Sequence, residues 1–150
     1  MKSFLLFALS TFSLTVVASS LLDGTYQGKI KLGSQPVRNG ILHIREVHVD
    51  EQKQSLIAVL AADAPDGKFG ETLPFQFDQF ISLNANSGVF RTERTAPNSS
   101  VGTQIVELDV LLGNNNELHG MLRSNLISPD GAVIEGDFVF HRVNIEVPTT

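Results

Sequence analysis

Between residues 106 and 141 apolar and polar side chains alternate three times over. Val106, Leu108, Val110 and Leu112 are separated by Glu107, Asp109 and Leu111. Leu118, Gly120, Leu122, Ser124 and Leu126 are separated by His119, Met121, Arg123 and Asn125. Ile134, Gly136, Phe138 and Phe140 are separated by Glu135, Asp137, Val139 and His141. A period of two places one set of side chains on a core and the other toward a different medium, which only a β-strand does. Short turns between the runs make neighbouring strands antiparallel, so the last third of the chain is a three-stranded meander.

The turns also set an expected register. Pro129-Asp130-Gly131 suits a three-residue hairpin loop in which Gly131 takes the left-handed position, so Ser128 opposes Ala132. Counting outward pairs Leu126 with Ile134, Ser124 with Gly136, Leu122 with Phe138 and Gly120 with Phe140. The opposite face pairs Arg123 with Asp137, Met121 with Val139 and His119 with His141. If Leu112 opposes Leu118 in the preceding hairpin, Glu107 comes opposite Arg123, and one Arg sits between two carboxylates. Such a row reads as an exposed ion-pair ladder, each pair contributing about 0–1 kcal/mol, rather than as an active site.

Upstream, five further strands are expected. Residues 24–32 carry Tyr26, Ile30 and Leu32 on one face. Residues 40–49 follow, with Leu42 and Ile44 on one face but Val47 and Val49 on the other, a phase slip that a β-bulge at Arg45-Glu46 would repair. Residues 56–61 are apolar on both faces, as in a strand covered on both sides. Residues 73–83 and 89–94 complete the set, Pro74 marking an edge or a strand start. The polar stretches 63–70 and 95–102 read as loops. Eight antiparallel strands joined by short connections give an all-β domain, as an up-and-down barrel or a sandwich. The segment Gly24-Thr25-Tyr26-Gln27-Gly28 loosely resembles, over five residues, the first strand of the lipocalin and avidin barrels, without the Trp usual there and with no second motif beside it. The resemblance implies a calycin-like barrel, and on either reading Tyr26 is a core aromatic closing one barrel end.

The first residues differ in kind. Lys2 precedes a mostly apolar run from Phe4 to Val17, and small residues follow, the layout of a secretory signal peptide cut after Ala18 or Ser20. Ser10, Thr11, Ser13 and Thr15 interrupt the run, which falls short of the roughly 18 or more apolar residues of a membrane span. The expected organisation is a leader, residues 1–18, and a single β domain, residues 19–150, in a periplasmic or secreted protein. Losing Lys2 moves the net charge from −5 to −6, which disfavours nucleic acid and anionic membrane as partners. The chain has no Cys, which rules out disulfides, a thiol nucleophile and a lipid-bearing N-terminal cysteine. Its stability must come from a hydrophobic core, to which Phe69, Phe75, Phe77, Phe80, Phe90, Phe138 and Phe140 are available.

No catalytic, metal or cofactor motif emerges. His43 and His48 point to opposite faces of a regular strand, and His119 with His141 could hold a metal only with a carboxylate such as Glu117 or Asp109. Solvated strand histidines are the simpler reading. Asp63, Asp66 and Glu71 do not follow the order of a calcium loop and read as turn residues. Asn98-Ser99-Ser100 fits a glycosylation acceptor and marks an exposed loop. Neither a Gly-x-Ser-x-Gly elbow nor a Gly-rich phosphate loop occurs.

The function expected from these features is an exported soluble barrel that binds a small apolar ligand, with Tyr26, Leu108, Leu122, Leu126, Ile134, Phe138 and Phe140 lining it and Gly120, Ser124 and Gly136 leaving room. Three alternatives stand beside it. An outer-membrane barrel would turn the same apolar face to lipid, but the chain has one Tyr, no Trp and a polar tail, residues 146–150. A protein-contact role would use the second apolar face of residues 56–61. A periplasmic hydrolase is the fourth reading, with no residues assigned to it.

Overall fold

The period-two stretches form strands, and their apolar faces turn inward onto one core. The computed structural model describes residues 20–33, 35–49, 54–63, 75–95, 103–127 and 133–144. The strands are β1 (Gly24–Leu32), β2 (Arg38–His48), β3 (Gln54–Ala62), β4 (Phe75–Phe77), β5 (Gln79–Asn84), β6 (Ser87–Thr95), β7 (Thr103–Leu112), β8 (Glu117–Ile127) and β9 (Val133–Arg142). The expected leader, residues 64–70 with Asp66, the segment with Glu71, Leu73 and Pro74, residues 96–102, the expected turn at Pro129-Asp130-Gly131 and residues 145–150 lie outside the described residues.

All nine strands belong to one sheet in the order β4-β3-β2-β1-β9-β8-β7-β6-β5. Every neighbouring pair is antiparallel, including β1 with β9, which joins the two halves of the meander. The two ends of the order are consecutive in the chain, separated only by Asp78. The expected strand 73–83 is therefore one path split in two, its first part paired with β3 and its second with β6. Phe75 and Phe77 join the core from odd positions and Phe80 from an even one, so Asp78 absorbs a change of phase. That shared path makes a nearly closed up-and-down barrel and settles the choice against a sandwich.

Two expectations on register need correction. The β7–β8 pairing is as read, with Leu112 opposite Leu118 and Glu107 opposite Arg123. In β8–β9 only the turn end keeps the expected count, Ile127 opposite Val133. An irregularity between Arg123 and Ile127 then shifts the ladder by two residues, so that Leu122 faces Gly136, Gly120 faces Phe138, Met121 faces Asp137 and His119 faces Val139. An even shift keeps every side chain on its face, so the inward and outward sets survive. The second correction concerns β2. Its pairing with β3 runs without a break from Gly40–Ala62 to His48–Gln54, so no bulge interrupts Arg45-Glu46. Val47 and Val49 face outward, and the inward position is held by Glu46 for a reason that lies at the barrel end.

The core contains Tyr26, Ile30, Leu42, Ile44, Leu60, Phe77, Phe90, Leu108, Leu118, Leu122, Phe138 and Phe140, none more than 3% exposed. Large rings fit because they lie over strand glycines. A Cβ on Gly120 would stand 2.1 Å from the Phe138 ring, and one on Gly40 would stand 2.5 Å from the tip of Phe140. Gly28, which pairs with both Gly40 and Phe140, is bare for the same reason. The two rings, 4.3 Å apart at their centroids, pack on each other and spread in opposite directions from β9.

Gly40→Ala should therefore destabilise the fold by about 1–3 kcal/mol through overpacking. Phe140→Leu should absorb part of that loss, so that the double variant is more stable than the two single losses predict when added. Urea denaturation of the four proteins measures this, and strict additivity would refute the contact.

Candidate functional site

One barrel end is plugged by the chain itself. Ser20 to Asp23 forms a turn in which the Asp23 amide donates to the Ser20 carbonyl (3.1 Å) and the Leu22 amide donates to Ser20 Oγ (3.2 Å). Leu22 drops into the core, 1% exposed. Tyr26 Oη donates to the Leu22 carbonyl (2.9 Å) and accepts from Arg142 Nη2 (2.6 Å), while the same guanidinium reaches the Leu21 carbonyl. The Arg142 guanidinium carbon lies 5.2 Å from the Tyr26 ring centroid, close enough for cation–π attraction. The Glu46 amide donates to Asp23 Oδ2 (2.8 Å), and Glu46 Oε2 accepts from the Ser20 amide (3.4 Å). A polar residue occupies this inward position of β2 because the turn needs its carboxylate.

Tyr26 thus closes the barrel end, as its place on the first strand suggests. Burial raises its pKa above the usual 10.0, and the hydrogen bond and charge of Arg142 only partly oppose that shift.

The interior side chains first considered for a ligand are the core. Tyr26, Leu108, Leu122, Phe138 and Phe140 are 0–3% exposed and pack against one another and their neighbours. Gly120 and Gly136 accept the bulk of Phe138 and Leu32 rather than leaving a space. Ser124 is buried and accepts from Gln104 Nε2 at 3.2 Å. The side chains of Leu126 and Ile134 lie outside the described residues.

A recess lies instead on the outer side of β1, β2 and β3. It encloses about 420 Å³ and is lined by Gln27, Lys29, Asn39, Ile41, Ala61 and Asp63 over the backbones of Gly28, Gly40 and Ala62. The antiparallel register places Gln27 beside Ile41, Lys29 beside Asn39, and Ile41 beside Ala61. Lys29 Nζ donates to Asn39 Oδ1, and Asn39 Nδ2 donates to Asp63 Oδ2 at 2.7 Å. The Asp63 amide donates back to the Asn39 carbonyl (2.9 Å), and Arg38 Nη1 donates to the Asp63 carbonyl (3.3 Å). Asp63, expected as a turn residue, is a buried carboxylate at 9% exposure that fixes the rim of this cleft. The sequence pattern did not show this role, because its partners Arg38 and Asn39 lie 25 and 24 residues back in the chain, on the neighbouring strand β2.

The histidines do not assemble into a metal site. His43 is on the outer face, its Nδ1 3.0 Å from Thr25 Oγ1, and His48 is two and a half repeats along the same unbroken strand, on the opposite face. His119 and His141 do not face each other. They flank Glu117, with His119 Nε2 at 3.6 Å and His141 Nδ1 at 3.9 Å from its carboxylate oxygens. Among the described residues no three His, Asp or Glu side chains form a group able to hold a metal ion.

The charged row is an exposed ladder. Arg123 lies between Glu107 and Glu135 in register, rather than between Glu107 and Asp137, and its guanidinium bonds Asp109. Arg91 reaches Glu93 at 2.7 Å and Glu107 at 3.5 Å. These side chains are between 31% and 50% exposed, so each pair is worth little. No protein family matches the chain, and no characterised protein and no solved structure shows significant similarity to it.

The buried phenol gives a clean optical test, since the chain has one Tyr and no Trp. A pKa raised by folding means that Tyr26 contributes stability below pH about 10 that is lost as pH rises through the folded value. In an absorbance titration the phenolate should appear above pH 10, together with loss of the fold. Ionisation at the free-tyrosine value in an intact barrel would contradict the buried geometry. Tyr26→Phe should cost about 1–3 kcal/mol, because it takes the donor from the Leu22 carbonyl and leaves Arg142 Nη2 with the Leu21 carbonyl alone.

Proposed function

We propose that the protein is an exported, soluble β-barrel binding module that takes a small ligand in the outer recess of β1–β3. The observation that carries this reading is the combination of volume and chemistry there. About 420 Å³ falls within the usual size of small-molecule sites. Ile41, Ala61 and the bare backbone at Gly28 and Gly40 offer an apolar floor. Gln27, Lys29 and Asn39 supply donors at the rim, and Asp63 holds Asn39 in place. An amphipathic ligand suits this set, with its apolar body on the floor and an anionic or hydroxyl-bearing end toward Lys29. The well-filled interior supports an outer site over the inner one first expected. The export half of the proposal rests on Lys2, the apolar run to Val17 and the small residues after it.

A second reading, a protein-contact role, is favoured by one observation. Ile57, Ile81 and Leu83 are 37%, 56% and 66% exposed, on the two strands that border the incompletely paired seam of the barrel. The membrane-barrel reading has the opposite support. Lys29, Lys31, Arg45, Glu107, Asp109, Arg123, Glu135 and Asp137 occupy outward positions, where charges facing lipid are costly. The hydrolase reading gains no pair of buried carboxylates, since Asp63 is the one buried carboxylate among the described residues.

Native mass spectrometry of the exported chain, purified without detergent, tests the proposal. A discrete added mass is expected on the wild type. Ala61→Phe, which fills the recess from outside the core, should remove it, and Lys29→Ala should weaken retention by about tenfold or more, the loss of one charged hydrogen bond. A monomer at bare chain mass would overturn the ligand reading, and a dimer at bare mass would favour the contact role.

A further inference from the structure

We propose that the leader is removed after Ala18, not after Ser20, because the folded barrel uses Ser20 and opposes a positive charge on Leu21. The inference rests on the export reading and chooses between the two cuts that the sequence allows. Ser20 has three structural duties. Its carbonyl accepts from the Asp23 amide, its Oγ accepts from the Leu22 amide, and its own amide donates to Glu46 Oε2. These bonds shape the turn that seats Leu22 in the barrel end. A chain beginning at Leu21 has none of them, and leaves the amides of Leu22 and Asp23 without these acceptors.

Electrostatics separates the two products further. A cut after Ser20 puts the new α-ammonium on Leu21, the residue whose carbonyl Arg142 holds. Two cations would then sit within one residue of each other, with the Tyr26 phenol already engaged by the same guanidinium. A cut after Ala18 leaves Ser20 inside the chain, so its amide stays a neutral donor to Glu46 Oε2 and the Leu21 carbonyl stays free of a neighbouring ammonium. Asp23, which binds the Glu46 amide and lies 3.8 Å from Arg45, adds a second carboxylate to the same end. The end of the barrel is therefore matched to a chain that keeps Ser20, which of the two cuts only the one after Ala18 leaves in place.

The experiment expresses the full-length chain in a secreting bacterial host and determines the N-terminus of the exported protein by sequencing and intact mass. A start at Ser19 is expected. A start at Leu21 overturns the inference while leaving the export reading in place, and a chain that keeps its leader overturns both. In parallel, chains beginning at Ser19 and at Leu21 are melted. The Leu21 chain should have the lower midpoint, and the gap should narrow above pH about 8, where an α-ammonium loses its proton, or on N-terminal acetylation. Equal midpoints, or a gap unmoved by either treatment, would show that the barrel end does not read the N-terminus.

Discussion

Phe140 crosses the barrel over a cross-strand pair of glycines, and much of the molecule is arranged around that contact. A barrel of eight strand paths has an interior just wide enough for side chains to fill. Filling it with rings requires places where a ring can lie flat on backbone. Gly28 and Gly40 make one such place on β1 and β2, and Gly120 makes another on β8. Phe140 and Phe138, neighbours on the inner face of β9, lean apart to occupy them while touching each other. Phe80 over Gly88 repeats the device beside the seam. The interior around these rings is spent on packing, and any chemistry the protein performs on a ligand is moved to its ends or its outer face.

The plugged end follows from the same economy of space. Leu22 enters where the first strand begins, and its turn needs acceptors that an all-apolar rim would not supply. Glu46, Asp23 and Ser20 provide them, and Arg142 binds the turn to the last strand. The beginning of β1 and the end of β9 are thereby held at one point, next to the β1–β9 pairing that joins the sheet. Both are local polar solutions at the margin of an apolar core, where partial burial strengthens each hydrogen bond.

Face assignment was legible in the sequence because it depends only on parity. The strands β1, β7 and β9 and the inward set of β8 read directly from alternation, and the β7–β8 register follows once Leu112 is set opposite Leu118, as it is in the structure. What parity cannot detect is an even slip. The two-residue shift in β8–β9 moves Arg123 from Asp137 to Glu135 without turning any side chain over. Parity also misleads where a polar residue is inward for a reason. Glu46 looked like a phase error needing a bulge, and is instead an acceptor for a turn more than 20 residues away in the chain. Asp78 was the converse case, a true change of phase inside a stretch that looked uniform.

The outer recess was illegible for a related reason. Its lining comes from positions 27–29, 39–41 and 61–63, each of which read only as a strand or a turn. On the inner side the glycines there receive Phe140, whose ring a Cβ on Gly28 or Gly40 would meet. A strand has two faces, however, and a backbone without Cβ atoms is shared between them. The same two glycines that admit a ring from within form the floor of the cleft from without, beneath Lys29, Asn39 and Ile41. Anything that pushes the sheet outward at this pair, such as a bulkier ring at 140, alters the floor on which a ligand would rest. Core packing and the candidate site are therefore two sides of one piece of backbone, which is why the place to look for function is directly behind the contact of Phe140 with Gly28 and Gly40.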